Sequence, residues 1–320
     1  MARIIALGSA LSDVYLIDHD DLTPTNIGGA AIFGKVLVGS KVDIDRLEFA
    51  VGGGGVNAAV AFSRHGHETI LMANVGQDQA GQAILALLDR EGVDSSYVAT
   101  RGRKPTGTSV ILLDSKSGER TILTHRGASA EFANLSEEDL ELSNPDWLYI
   151  TSLRGDLNTL ERFLKKAHAM GIRVMLNPGV KELAQAKELL RLLKYTHVLL
   201  VNKSEAAELV PGTLLAELVY HLQGYTPVVI ITDGAMGGIA TDGQATYRFG
   251  IYEDVRAKDA TGAGDAFGAG FLAHLAAGHS FRNSLVFASA NSTAVVANVG
   301  ANRNILTGRE QLHPMPIQKI

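Results

Sequence analysis

Cysteine is absent from all 320 residues, which excludes disulfides and thiolate catalysis. Clustered positive charge is missing as well: the net charge is −5 and no run of five or six basic residues occurs. A nucleic-acid partner is therefore not expected. No stretch approaches eighteen unbroken apolar residues, so no membrane-spanning helix is expected either. The first apolar run, Ile4 to Leu7, is too short for a secretion signal and gives way to Gly8 and Asp13. These absences predict a cytoplasmic protein. There is no internal repeat, low-complexity tract or long linker. What remains is an ordinary soluble composition, 46% apolar and 20% charged, able to bury a real core. The length suits one large α/β domain or two modest ones, and the missing linker favours a single domain over 1–320.

Strand-like and helix-like patterns alternate along most of the chain, as in an α/β sheet covered on both faces. Strands are expected at 3–8, 69–76, 147–151, 173–177, 197–202 and 228–234, and helices at 56–66, 78–92, 157–170, 181–194 and 203–209. Two regions break the alternation. From about 14 to 51 no helix is convincing, and "VDIDRLEFAV" alternates with the period of a half-buried strand. From about 106 to 126 the sequence reads as a hairpin turning at Ser115–Gly118. Together, 14–51 and 100–126 are expected to form a small β lid on the α/β body.

The stretch "DATGAGDAFG" (259–268) runs directly into an apolar helix. Gly262 and Gly264 can expose consecutive N–H groups with no Cβ in the way, and the helix adds the positive end of its dipole. That makes an anion site. An acid there, Asp265, would repel a phosphate that was merely held. It makes sense as a base that takes the proton of a hydroxyl aimed at the phosphate. The alternative is a first-turn acid beside glycines that only pack. Two other glycine stretches compete. "GAAIFGKV" (29–36) has P-loop spacing, but Val36 stands where a Ser or Thr should hold Mg²⁺. "GGGVNA" (53–58) fits a dinucleotide fingerprint, yet "TILMAN" ends in Asn74 where a ribose-binding acid belongs. Its glycines better suit close approach of a polar ligand, with Asn57 offering an amide.

Taken together, "GGGGVNAAVAFSRHG", "NVGQDQAG" and "DATGAGDAFGAGF" resemble the paired signatures of the ribokinase-like, or PfkB, carbohydrate kinases, in the same order and over essentially the whole chain. The resemblance implies a three-layer α/β/α sandwich with a mostly parallel central sheet and a β lid. It implies ATP-dependent phosphorylation of a hydroxyl on a sugar, sugar derivative or nucleoside. Asp265 matches the base, and Gly262, Ala263 and Gly264 match the anion hole. Asp13 matches the acid that grips substrate hydroxyls, with Gly53, Gly54 and Asn57 beside it. Asn202 and Glu205 match an Asn-x-x-Glu element that supports Mg²⁺ through water, although the same spacing is a helix capping box. Thr232, Gly234 and Gly237 match the nucleotide loop, for which a hairpin turn is the local alternative. Ser289 stands where many relatives place an Asn near adenine. Asp259 and Thr261, with backbone around Val295 and Gly300, match a monovalent-cation site, for potassium. Lids in this family often pair between subunits, so a homodimer through the lid is an expectation.

Two departures bear on the acceptor. Ribokinases proper carry Lys where this chain has Gly54, and Glu where it has Arg154. A guanidinium there offers a fork for phosphate or carboxylate; the alternative is that Arg154 turns outward to Asp156. Arg101, Arg103 and Lys104 could attract an anion, or form a solvated loop. A nicotinamide-dependent oxidoreductase using "GGGVNA" and a non-catalytic sensor are the competing functional classes.

Overall fold

Branched and aromatic apolar residues concentrate in short runs, and in the computed structural model each run becomes a strand. Residues 1–17, 25–27, 31–33, 39, 41, 43–44, 46–101, 103–113, 120–253 and 258–320 are described. The strands are β1 (Arg3–Leu7), β2 (Leu11–Ile17), β3 (Thr25–Ile27), β4 (Ala31–Phe33), β5 (Arg46–Gly52), β6 (Glu68–Gly76), β7 (Val98–Arg101), β8 (Gly107–Leu113), β9 (Arg120–His125), β10 (Trp147–Ile150), β11 (Arg173–Leu176), β12 (Val198–Asn202), β13 (Val228–Thr232), β14 (Gly238–Thr241), β15 (Thr246–Phe249) and β16 (Ile317–Lys319). The helices are α1 (Gly54–Arg64), α2 (Gln79–Arg90), α3 (Asp139–Ser143), α4 (Leu157–Ala169), α5 (Val180–Leu183), α6 (Ala186–Leu192), α7 (Lys203–Leu209), α8 (Leu215–Leu222), α9 (Ala263–Ala276) and α10 (Phe281–Val296).

Ten strands form one sheet in the order β16-β15-β14-β13-β12-β11-β10-β1-β6-β7. The seven from β13 to β7 run parallel, and β14, β15 and β16 add antiparallel pairs at one edge. Parallel strands must be covered on both faces, and alternate residues accordingly join two different cores. Ile4, Ala6, Tyr149 and Leu200 pack with α1, α2, α9 and α10. Ile5, Leu7, Ile150 and Leu199 pack with α4, α6, α7 and α8 on the other side. This is the expected three-layer sandwich.

A separate four-stranded sheet, in the order β5-β2-β8-β9, takes strands from both β-rich excursions, and β3 and β4 pair with each other in a sheet of their own. Its pairing of β8 with β9 is the expected hairpin, whose turn lies outside the described residues, as do Lys35 and Val36 of the P-loop lookalike. Burial alternates strictly along β2, as a strand with one covered face requires. Three local readings change. Residues 98–101 extend the large sheet beside β6 rather than joining the small one. The expected helix at 181–194 is two short helices and a 3₁₀ turn, because Gln185 breaks the run and its amide reaches back to the carbonyls of Gly155 and Lys181. Helices α8 and α10 emerge where no helix was expected; both carry apolar residues on most sides. Among the described residues no helix is long and apolar enough to cross a membrane.

Candidate active site

The C-terminal ends of β10, β11, β12 and β13 open onto a cavity of about 370 Å³. Its walls include Gly54, Thr151, Asn177, Asn202, Glu205, Thr232 and the turn from Gly262 to Asp265. Strand ends in an open parallel sheet are where ligands bind, since the loops there are free of helix packing.

The turn before α9 is fixed by sterics. Gly262 caps the helix at φ 78°, and a side chain there would overlap the Ala301 methyl as well as strain the backbone. Gly264 has an ordinary backbone, and the space where its side chain would point is empty. Its N–H, like others in a first helical turn, finds no acceptor among the described residues, whereas that of Ala263 bonds the carbonyl of Ala260 at 3.3 Å. Asp265 follows in the first turn and also lines the cavity. Asn57 Nδ2 donates to Asp265 Oδ2 at 2.9 Å, joining the starts of α1 and α9. Burial raises the Asp265 carboxyl above its usual range, and the Asn57 hydrogen bond partly offsets this. Asn57 Oδ1 is buried without a partner.

Across the cavity the other glycine motif brings backbone against backbone. Gly53 has φ 94°, and a side chain there would overlap the Ser9 carbonyl. A side chain at Gly54 would press on Thr151 at 3.0 Å, whose Oγ1 is buried and unpartnered. This motif is preceded by β5 of the small sheet rather than by a strand of the parallel sheet, so the strand–glycine–helix context of a dinucleotide site is missing. Asp13 sits on β2 behind this wall, buried, with its carboxyl pushed up to about 6. Burial is the main cause and Asp259 adds to it, while Ser109 and Arg126 pull the other way.

Asn202 and Glu205 line the cavity and also cap α7: Asn202 Oδ1 accepts from the Glu205 amide at 2.9 Å, and Glu205 Oε2 from the Asn202 amide at 2.8 Å. One Glu205 oxygen and the Asn202 amide group remain for a ligand. Both expected roles are thus compatible. Thr232 lines the cavity, but Gly234 and Gly237 form the tight connection between β13 and β14. Gly237 is required there because a side chain would overlap the Phe249 carbonyl. Ser289 is buried in α10, its Oγ donating to the Gly250 carbonyl at 3.2 Å, and does not reach the cavity.

Asp259 is fully enclosed. Its carboxylate accepts from the Thr261 amide at 2.8 Å and the Gly300 amide at 3.2 Å. Thr261 Oγ1 beside it is buried without a partner, and Val295 lies in the core of α10. Sequence reasoning passed over Arg120. From β9 of the small sheet it enters the cavity wall, with Nε 3.9 Å from Asp259 Oδ1. Nothing in the local pattern distinguishes it from a solvated hairpin charge; only the pairing of the small sheet carries it there. Lys104, by contrast, is exposed and pairs with Glu131 at 2.6 Å.

Residues 6–307 match the profile of the pfkB family carbohydrate kinase. A ribokinase from Bacillus subtilis is 30% identical, the match covering 97% of this chain and 98% of the relative. Among solved structures, ribokinase from Cryptococcus neoformans in complex with ADP superposes with a TM-score of 0.75 at 24% identity, covering 96% of this chain and 97% of that one. A nucleoside kinase from Methanocaldococcus jannaschii gives 0.76 at 20% identity, covering 95% of each.

Proposed function

The chain belongs to the pfkB family of carbohydrate kinases and is an ATP-dependent sugar kinase, and we propose that Asp265 is its base, acting over the turn at Gly262–Gly264. The observation that carries this assignment is the placement of Asp265 on the cavity, hydrogen-bonded to Asn57, in the same helical turn as a free Gly264 N–H. Asp265 takes the acceptor hydroxyl's proton as its oxygen bonds to the γ-phosphorus, and the bond from phosphorus to the ADP oxygen breaks. The N–H groups of the turn and the dipole of α9 stabilise the charge on the moving phosphoryl oxygens. Asn57 orients the Asp265 carboxylate. Asp13 and the Gly53–Gly54 backbone bind acceptor hydroxyls, with Thr151 Oγ1 as a further unpartnered group facing them. Thr232 and the turn at Gly234–Gly237 border the ADP, and Ser289 contributes only by supporting Gly250. Screening sugars and nucleosides for acceptor-dependent ADP formation tests the activity; the absence of turnover with every acceptor contradicts it.

Magnesium, when bound, neutralises charge on the β- and γ-phosphate oxygens. The donor set fits it: Glu205 and Asn202 offer oxygen and amide groups at the cavity wall, and no cluster of three acidic or histidine ligands among the described residues would hold the ion directly. For a monovalent cation such as potassium, the unpartnered Thr261 Oγ1 beside Asp259 supports a site completed by backbone near Val295 and Gly300.

A pH dependence follows from Asp13. A carboxyl that ionises near 6 binds hydroxyl donors as an acceptor-only group above that pH and loses this capacity below it. Asp265, also raised, must be ionised to act as base, so it works in the same direction. Acceptor kcat/KM, which reports groups of the free enzyme, is expected to fall as pH drops through about 6. A profile flat from about pH 5 to about pH 8 contradicts this.

The small sheet is proposed as a lid and as a dimer surface. Leu47, Phe49 and Leu123 on its outer face are 51%, 70% and 59% exposed. The register sets Phe49, Val14, Val110 and Leu123 in one row across all four strands. A continuous apolar row of this kind marks an interaction site. Light scattering should give a dimer for the native chain and a monomer for Phe49→Asp combined with Leu123→Asp; a monomeric native chain rejects the proposal.

A further inference from the structure

Building on the kinase reading, we infer that the acceptor carries an anionic group, a phosphate monoester or a carboxylate, held between Arg126 and Arg154 beside Asp13.

Arg154 lies three residues beyond Thr151 and two beyond Ser152, both on the cavity wall. Its backbone is left-handed, φ 64°, an uncommon state for a residue with a long side chain. The turn is locked there. The Arg154 amide donates to Ser152 Oγ at 3.2 Å, the Gly155 amide to Glu182 Oε1 at 2.7 Å, and Ser152 Oγ to Glu182 Oε2 at 3.0 Å. Glu182 is buried and also accepts from the Gly179 amide at 2.9 Å. Both of its oxygens are therefore occupied by the turn.

Asp156, the outward partner that sequence allows for Arg154, is engaged elsewhere. It caps α4, accepting from the Thr159 amide at 3.0 Å and from Thr159 Oγ1 at 2.7 Å. Arg154 is left with Nε shielded from water and no acceptor. From the small sheet, Arg126 follows directly on β9, whose His125 pairs with Thr108, the neighbour of the Ser109 that pairs with Asp13. Burial and then Arg154 push Arg126 below its ordinary value, and Asp13 counteracts them only in part. Neither guanidinium side chain has an ion-pair or hydrogen-bond partner among the described residues.

Two half-buried guanidiniums near each other, of which Arg126 alone has Asp13 beside it, leave a positive charge and unsatisfied donors in a desolvated place, which is costly until an anion completes it. The planar fork of Arg suits the oxygens of phosphate or carboxylate. A neutral sugar offers nothing that would offset the repulsion. The two arginines come from different sheets, so an anion bridging them also draws the small sheet towards the large one.

The test compares kcat/KM for a neutral hexose, its 6-phosphate, and the related 2-keto-3-deoxy acid. One anionic acceptor is expected to exceed the neutral sugar by roughly 100-fold, the size of effect seen when a desolvated charge pair is completed or broken. Which arm prevails separates phosphate from carboxylate. Arg126→Gln and Arg154→Gln should each bring the ratio of anionic to neutral acceptor towards one, and Arg154→Lys should recover part of it. Equal or better use of neutral sugars or nucleosides overturns the inference, as does a ratio unchanged in both Gln variants. Calorimetry on Asp265→Asn separates this from failure of the kinase reading. Anionic-sugar binding that persists there and is lost on adding Arg154→Gln supports the site whether or not turnover occurs; no binding of either anion to Asp265→Asn overturns it.

Discussion

Replacing Asp265 by Asn is expected to lower kcat by about a thousandfold, within the range a positioned general base supplies, while leaving ATP affinity within about twofold. The substitution keeps size and shape, and the new side-chain oxygen can still accept from Asn57 Nδ2, now 2.9 Å from Asp265 Oδ2. What disappears is the capacity to take a proton. Burial raises the pKa of the native carboxyl, which makes it a stronger base than an exposed aspartate. Turnover by coupled ADP detection and ATP affinity by calorimetry are the two readouts. Wild-type kcat in this variant would falsify the base assignment, and loss of ATP binding would instead reassign Asp265 to the nucleotide.

Gly264→Val is expected to cost about 10²–10³ in kcat/KM, the effect of spoiling one oxyanion donor, with no loss of thermal stability. The contrast with its neighbour makes this informative. At Gly262 any side chain meets Ala301 and a backbone at φ 78°, so substitution there destabilises the fold and says little about chemistry. At Gly264 an added Cβ has no atom within 4 Å beyond its chain neighbours and its own helix backbone, and the backbone is ordinary helix. Only something placed in the cavity could object to it. An active Gly264→Val enzyme with native stability means that the phosphoryl group passes elsewhere.

The architecture was legible because parallel strands buried on both faces, such as Ile4–Leu7 and Val229–Ile231, leave continuous apolar runs, and because glycine-capped helices end visibly at Gly66 and Gly92. Asp265 and Gly262 could be singled out because a carboxylate in a glycine-rich helix start suits a base at an anion site, though a first-turn acid reads the same locally, and Asn57 because it follows the other glycine stretch. The remainder depended on contacts between segments distant in sequence. Arg120 and Arg126 look like ordinary hairpin charges until β8 and β9 pair and carry them towards Asp259 and Asp13. The outward alternative for Arg154 fell away only when Asp156 proved to cap α4. Ser289 and Gly237 show the converse: their local surroundings, a Gly250 carbonyl and a tight strand connection, account for them without a nucleotide.

The most direct test of the central claim is a crystal structure of Asp265→Asn with ATP, magnesium and an accepted sugar bound. The account predicts the γ-phosphate within about 3 Å of the Gly264 N–H, at hydrogen-bonding distance, with the acceptor hydroxyl between it and residue 265. A γ-phosphate seated away from the Gly262–Gly264 turn, or a hydroxyl out of reach of residue 265, contradicts it.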